Sequence, residues 1–252
     1  MADTDPRESY NDWLDEHSDD LERRLPVSEV FGPTIQGEGS HAGRPCYFIR
    51  LGGCNLSCKW CDTPYSTGTH GIPLSTVPRH TVSDVAKEIP DNHLVILTGG
   101  EPLMHSRTPA FKALLHLLKS KGCEIHVETN GSYPLDPSIG QHIDHITISP
   151  KLGVAMAREK DNPSLCDWSD YADKTICKFV VDTDNPDEFI REHLPIAEKA
   201  GIPRSRVWVM PQGISANELN AHWADVAQAA ANHNINATHR LHTLAWGNQK
   251  GH

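Results

Sequence analysis

Cys54, Cys58 and Cys61 stand in the run Gly53-Cys54-Asn55-Leu56-Ser57-Cys58-Lys59-Trp60-Cys61-Asp62-Thr63, a C-x3-C-x2-C spacing. Three thiolates on one short loop suit a soft metal centre, above all an iron–sulfur cubane, whose fourth iron they leave without a protein ligand. That open corner is a place to do chemistry. The same thiols fit a structural zinc ion if Cys46 or His70 supplies a fourth ligand. Zinc sites usually come as two C-x2-C pairs or as Cys pairs with His pairs, and no second pair follows here. Cys46, Cys123, Cys166 and Cys177 lie in or near apolar stretches and read as buried structural thiols.

Other residues with chemical potential are scattered but regular in placement. Thr34-Ile35-Gln36-Gly37-Glu38-Gly39 is a glycine-punctuated polar loop, and Arg50 is a long cation on an apolar strand that fits either a salt bridge or a bidentate clamp on a carboxylate. Thr98-Gly99-Gly100-Glu101-Pro102 follows an apolar run, where glycine lets backbone approach a ligand and glutamate offers charge, although the same residues make an ordinary turn. Glu128-Thr129-Asn130-Gly131, Ser149-Pro150-Lys151 and Met210-Pro211-Gln212-Gly213 repeat the pattern. Lys178 reads as pointing to solvent from an alternating strand. His242 is placed to reach a substrate, and most of the other histidines read as surface residues.

The elements that must position these groups alternate. Apolar runs predict strands over 27–31, 45–51, 93–97, 124–129, 143–149, 175–181 and 206–210, with a loop over 32–39 and a turn-rich stretch over 65–78. Thr108-Pro109 opens a helix over 109–121 that puts Phe111, Leu114, Leu115 and Leu118 on one face and stops at Gly122. Asn185-Pro186 opens another that ends before Gly201, and Ser215 with Glu218 forms a capping box for a third running to about Asn232. Strands alternating with amphipathic helices imply right-handed βαβ units and a mostly parallel sheet. In such sheets ligands gather at the carboxyl ends of the strands, where the cysteine loop and the polar and glycine signals fall.

With 252 residues, 38% hydrophobic and 22% charged, the chain suits one sizeable α/β domain. No apolar run approaches the roughly 20 residues that span a bilayer, and the N-terminus lacks a signal-peptide pattern, which points to a cytoplasmic protein. Residues 1–24 hold nine acids against Arg7, Arg23 and Arg24, or minus six of the total minus ten. Residues 1–26 are expected to form a solvated acidic extension or a short surface helix ahead of a domain over 27–252. No basic stripe for nucleic acid is present.

Taken with Trp60, the cysteine loop resembles that of the radical S-adenosylmethionine superfamily, and Gly99-Gly100-Glu101-Pro102 is similar to its strand-end motif for the methionyl amino group. The runs 34–39, 50–56, 60–63, 128–131 and 149–151 together resemble the 7-carboxy-7-deazaguanine synthase family, over about 27–250. The resemblance implies an incomplete (β/α) barrel, open on one side, with a [4Fe-4S] cluster on Cys54, Cys58 and Cys61. It implies S-adenosylmethionine against Trp60, Cys61, Asp62, Gly100, Glu101, Ser149, Pro150, Lys151, Gln212 and Gly213, and Mg2+ on Thr63, which local sequence alone would make a turn cap. The implied reaction contracts 6-carboxy-5,6,7,8-tetrahydropterin to 7-carboxy-7-deazaguanine with loss of ammonia, in queuosine-type deazapurine biosynthesis. A deoxyadenosyl radical takes hydrogen from C6, and S-adenosylmethionine is regenerated. Ile35, Gln36, Gly37, Glu38, Arg50 and Thr98 would hold the pterin. A homodimer and an electron donor such as flavodoxin are implied too, with no direct nucleic-acid partner. A radical activase of a partner protein's glycine, or a non-catalytic zinc-binding module, are the competing readings of the same cysteines.

Overall fold

The computed structural model describes residues 6–59, 61–68, 72–151 and 164–247, with 249 and 251. Among the described residues nine strands form one sheet: β1 (Arg24–Ile35), β2 (Pro45–Leu51), β3 (Arg79–Thr81), β4 (Leu94–Gly99), β5 (Glu124–Thr129), β6 (His145–Ile148), β7 (Thr175–Val181), β8 (Val207–Pro211) and β9 (Asn236–Ala237). Their order is β3-β1-β2-β4-β5-β6-β7-β8-β9, which does not close on itself. Everything from β2 to β9 is parallel, while β1 is antiparallel to both β2 and β3. This is the incomplete barrel.

Helices α1 (Pro6–Glu16), α2 (Pro64–Thr67), α3 (Val82–Lys87), α4 (Pro109–Ser120), α5 (Pro137–Gly140), α6 (Pro186–Lys199), α7 (Ala216–Asn232) and α8 (Leu241–Trp246) complete the architecture. Local chemistry sets their starts. Thr108 accepts from the Phe111 N–H, Asn185 from the Glu188 N–H, and Ser215 with Glu218 forms a full capping box. Phe111, Leu114, Leu115 and Leu118 of α4 are fully buried in one continuous core with Leu97, Ile125 and Val127 of the sheet. At about 1.5–3 kcal/mol per buried side chain, this face fixes α4 far more firmly than helix propensity does.

Two expectations are corrected here. The loop expected over 32–39 is strand as far as Ile35, because a register shift between Phe31 and Thr34 accommodates Pro33, which cannot donate to the ladder. The histidines are mostly not at the surface: His126, His142, His145 and His239 are buried, and among the described ones only His80 and His222 are exposed. In the acidic leader, Leu14 is buried and Trp13 stacks on His116 of α4 at 3.8 Å, so α1 is docked on the body. No helix among the described residues is long and apolar enough to cross a membrane.

Candidate active site

A cavity of about 240 Å3 lies inside the curled sheet, with the cysteine loop at the carboxyl ends of the strands as its rim. Its floor comes from the other direction. Because β1 runs antiparallel, Ile35 ends opposite Pro45 at the amino end of β2, and the chain beyond it folds back under the barrel. Gln36 and Glu38 of this plug line the cavity with Arg50, Thr98 and Glu128 from successive strands, and with Lys178 from β7. The plug is held across the sheet's open side, where Gly39 N–H donates to Thr238 Oγ1 at 3.0 Å and Leu241 N–H to Gly37 O at 2.9 Å.

The cysteine loop is anchored by backbone bonds from Gly53 N–H to Ser66 O (2.7 Å) and from Cys54 N–H to Thr67 O (2.9 Å). All three thiols are free and face the cavity. Burial pushes the Cys54 thiol up to about 11, against the Leu56 N–H and with Glu101 adding to the rise, and burial raises Cys58 too, so a bound cation would supply the charge that makes thiolates of these two. A single tetrahedral zinc ion would draw its sulfurs to about 3.8 Å from one another. Among the described residues the ligand-type groups converging within 4.8 Å are His41, Glu124 and His126, and the three thiols are not such a set. Three free thiols on one loop, facing one cavity, are the donor set of an iron–sulfur cluster. Thr63 occupies the N-cap of α2, yet its hydroxyl makes no capping bond and faces the cavity, 3.9 Å from Cys61 Sγ. That hydroxyl shares a weak hydrogen bond with Cys61 Sγ, and its oxygen is of the hard type a cation such as Mg2+ takes.

Behind the loop, glycine is required twice. At Gly99 (φ +133°) an added Cβ would lie 2.0 Å from Leu51 O, and at Gly100 it would lie 2.1 Å from Gly53 O. The close approach lets Glu101 N–H donate to Gly53 O at 2.7 Å, which staples β4 to the cysteine loop. Gly100 lines the cavity, but Glu101 does not reach it. Its carboxylate is fully buried and accepts from Asn130 N–H (2.7 Å), Thr129 Oγ1 (2.7 Å) and Leu103 N–H (3.0 Å). Burial raises its pKa despite these bonds.

The floor is a buried charge network. Gln36 Nε2 and Thr98 Oγ1 donate to the two oxygens of Glu128, at 3.0 and 2.9 Å, and Gln36 Oε1 accepts from Glu38 N–H. Glu38 is gripped by Lys178 on one oxygen and by Arg240 Nε (2.8 Å) on the other. Burial alone would raise Glu38, but Lys178, Arg240 and His242 together hold it well below the usual carboxylate range. Lys178 is 4% exposed, so its expected solvent orientation is wrong: β7 is covered on both faces. Burial opposes its charge, and Glu38 with Glu128 outweigh that and raise its pKa. Arg240, which no sequence signal singles out, also holds Gly213 O at 2.7 Å and Asp62 at 3.2 Å.

The remaining expected residues divide. Ile35, Asp62, Ser149, Lys151, Gln212, Gly213 and His242 line the cavity, and Lys151 Nζ donates to Ser149 Oγ at 3.1 Å. Arg50 lines it too, but its Nε is bonded to Glu29 at 2.6 Å, and Tyr65 donates to the same oxygen. Gly37 lies against His242, whose ring would meet any Cβ there. Pro150 faces a neighbouring pocket with Leu56 and Asn130. Trp60 and His70 lie outside the described residues.

The radical SAM superfamily model matches residues 48–154. The 7-carboxy-7-deazaguanine synthase of Pyrobaculum aerophilum is 34% identical over 228 residues, which cover 90% of this chain and 97% of that protein. The enzyme of that name from Hyperthermus butylicus is 36% identical over 227 residues, covering 87% and 92%. The crystal structure of QueE from Escherichia coli aligns at a TM-score of 0.58 and 19% identity, covering 95% of this chain and all of that one, a likeness of fold.

Proposed function

We propose that this chain, which belongs to the 7-carboxy-7-deazaguanine synthase family of the radical S-adenosylmethionine superfamily, contracts 6-carboxy-5,6,7,8-tetrahydropterin to 7-carboxy-7-deazaguanine with release of ammonia. The observation that carries the reading is the joining, in one cavity, of three free thiols at the rim with a buried floor of Gln36, Glu38, Glu128 and Lys178. A [4Fe-4S] cluster on Cys54, Cys58 and Cys61, with S-adenosylmethionine at its open iron, supplies the radical chemistry when bound and reduced.

The chain's own residues do the rest. Gly99 and Gly100 keep the wall bare of side chains where the cofactor's methionyl end would lie, and Glu101 positions that wall from behind. Lys151 and Ser149 offer a cation and a hydroxyl for its carboxylate and ribose, while Gln212 and Gly213 border the side assigned to adenine. Trp60, Asp62 and Pro150 stay in this reading as flanking contacts, and the Thr63 hydroxyl is the protein's ligand to Mg2+, with water and substrate supplying the others.

On the floor, each carboxylate oxygen has two acceptor sites, so Glu128 and Glu38 keep capacity for a pterin's exocyclic amine and ring N–H after their internal bonds are counted. Lys178, Arg240 and Arg50, although each is paired with a carboxylate, are the cationic donors beside which a carboxylated substrate would lie. Ile35 and Gly37 contribute shape, and Thr98 orients Glu128. Preorganised in this way, the floor positions substrate and excludes water from reactive species. A cytoplasmic homodimer, fed electrons by a protein such as flavodoxin, is the assembly the family suggests. The product enters deazapurine biosynthesis of the queuosine type.

The test is an anaerobic assay of reconstituted protein with dithionite, S-adenosylmethionine, Mg2+ and the carboxytetrahydropterin. Wild type should release 7-carboxy-7-deazaguanine and ammonia, and Cys58→Ala should release neither. Product from Cys58→Ala, or zinc without iron in the purified wild type, would refute the reading.

A further inference from the structure

One layer below the cavity floor lies a second cluster of ligating side chains. Glu124, His126 and Glu128 alternate along β5, so they share the face that looks into the barrel, and His126 sits roughly 7 Å from Glu128 toward the amino ends of the strands. Three imidazoles meet there. The ring of His41, from the plug, is 4.5 Å from that of His126 and 4.3 Å from that of His145. His126 and His145 are 4.9 Å apart.

We propose that His41, Glu124 and His126 bind one divalent transition-metal ion of the Zn2+ class, with water in the fourth position. Their ligand atoms already lie within 4.8 Å of one another. Two imidazoles and a carboxylate are a borderline donor set that favours Zn2+ over Mg2+ or Ca2+, and three protein ligands leave the usual open place. His145 backs both rings, and Ser40 Oγ lies 3.0 Å from His41 Nδ1 and 3.4 Å from His145 Nε2, which helps to fix ring orientation. The ion has a way in, because the Glu124 side chain is 38% exposed.

One contact opposes binding. Arg44 grips Glu124 through both guanidinium nitrogens, at 2.8 and 2.6 Å, and His126 Nε2 lies 2.8 Å from the same carboxylate. The ion takes the place of the His126 contact, with the His126 proton on Nδ1. Arg44 is 43% exposed and swings toward solvent to relieve its repulsion of a dication. The consequence for the fold is a pin: the ion would tie the plug that carries Gln36 and Glu38 to the amino end of β5.

The experiment uses the full chain with its cluster reconstituted, so that the cysteine thiols are occupied, treated with chelator and then titrated with ZnCl2. Zinc and iron are counted in the same desalted samples, and melting temperature is recorded with and without zinc. Wild type should keep about one zinc per chain and melt higher with it. His41→Ala, at a half-buried loop position, should bind at least about tenfold more weakly and lose the zinc-dependent shift, in line with the loss of one ligand. Arg44→Gln should bind several-fold more tightly. Equal zinc retention by wild type and His41→Ala, or none by wild type at unchanged iron, overturns the proposal.

Discussion

The Glu101 carboxylate accepts the Asn130 backbone N–H at 2.7 Å and so ties the end of β4 to the end of β5 behind the cavity wall. The same side chain holds Thr129 Oγ1 and Leu103 N–H, and none of these partners has water to fall back on. Removing it in Glu101→Ala should cost about 3 kcal/mol, the range for orphaning buried donors around a lost charge. Glu101→Gln restores part of the acceptor set and should lose less. Denaturant melts read this directly, and iron content should fall in Glu101→Ala because Glu101 N–H is stapled to the cysteine loop through Gly53 O. A Glu101→Ala protein as stable as wild type would show that the knot is dispensable.

Gly100→Ala tests the same wall from the front. Its Cβ would meet Gly53 O at 2.1 Å, and neither partner is a flexible side-chain tip. The backbone must therefore separate, which pulls Cys54 away from the other thiols. We expect an intact fold, since the core elements lie elsewhere, but a loss of at least about tenfold in turnover together with poor iron loading. Full cluster content in Gly100→Ala would count against a wall built on close backbone approach.

The floor makes a prediction of opposite signs. Glu38→Gln strips one carboxylate from Lys178 and Arg240 and leaves buried cations short of a partner, a loss of about 3 kcal/mol. Adding Lys178→Met should recover at least about 1 kcal/mol of this while activity stays low, because the buried charge is then gone but the polar floor is too. The pH dependence follows from the lowered Glu38 pKa. Its contribution is complete above the unfolded carboxylate pKa of about 4.3 and is lost as pH falls below it. Wild type should therefore lose more stability than the double variant on acidification below the ordinary carboxylate pKa, measured as the change in denaturation midpoint between about pH 5 and about pH 2.5.

Much of the scaffold was readable because its signals are local. The strands at 45–51, 124–129 and 175–181 carry aromatic or β-branched residues (Tyr47, Phe48 and Ile49; Ile125 and Val127; Ile176, Phe179, Val180 and Val181), and they emerge with those limits. So does the Ser215 and Glu218 box, whose partners are three residues apart. What escaped depends on distant partners. Lys178 looks like a solvent-facing residue until Glu38, far away in sequence, is folded beneath it, and Arg240 has no pattern to announce it. Glu101 has the right type for a ligand contact, but the Asn130 and Thr129 donors that occupy it come from the next strand. The short helices α3 and α8 carry too few turns to show a period.

The docking of the acidic leader should respond to pH through His116. This ring stacks on Trp13 of α1 at 3.8 Å, Trp13 stacks in turn on His17 at 4.0 Å, and Tyr10 and His142 flank it at 5.7 and 4.4 Å. Its Nδ1 is buried without a hydrogen-bond partner among the described residues. Burial, helped by His142 and His17, brings the His116 pKa down to about 4. The undocked ring, with an ordinary pKa near 6.5, then binds more protons than the docked one, so docking is strongest above about pH 6.5 and weakens as pH falls toward 4. Attraction of a protonated ring to Trp13, about 0.5–1 kcal/mol, offsets part of this but provides no acceptor for the buried N–H. His116→Phe keeps the stack and removes the titration. Amide exchange over 6–16 should accelerate more in wild type than in His116→Phe between pH 7 and pH 5, once each is corrected for intrinsic rate. Identical profiles would place the docking of α1 outside the control of His116.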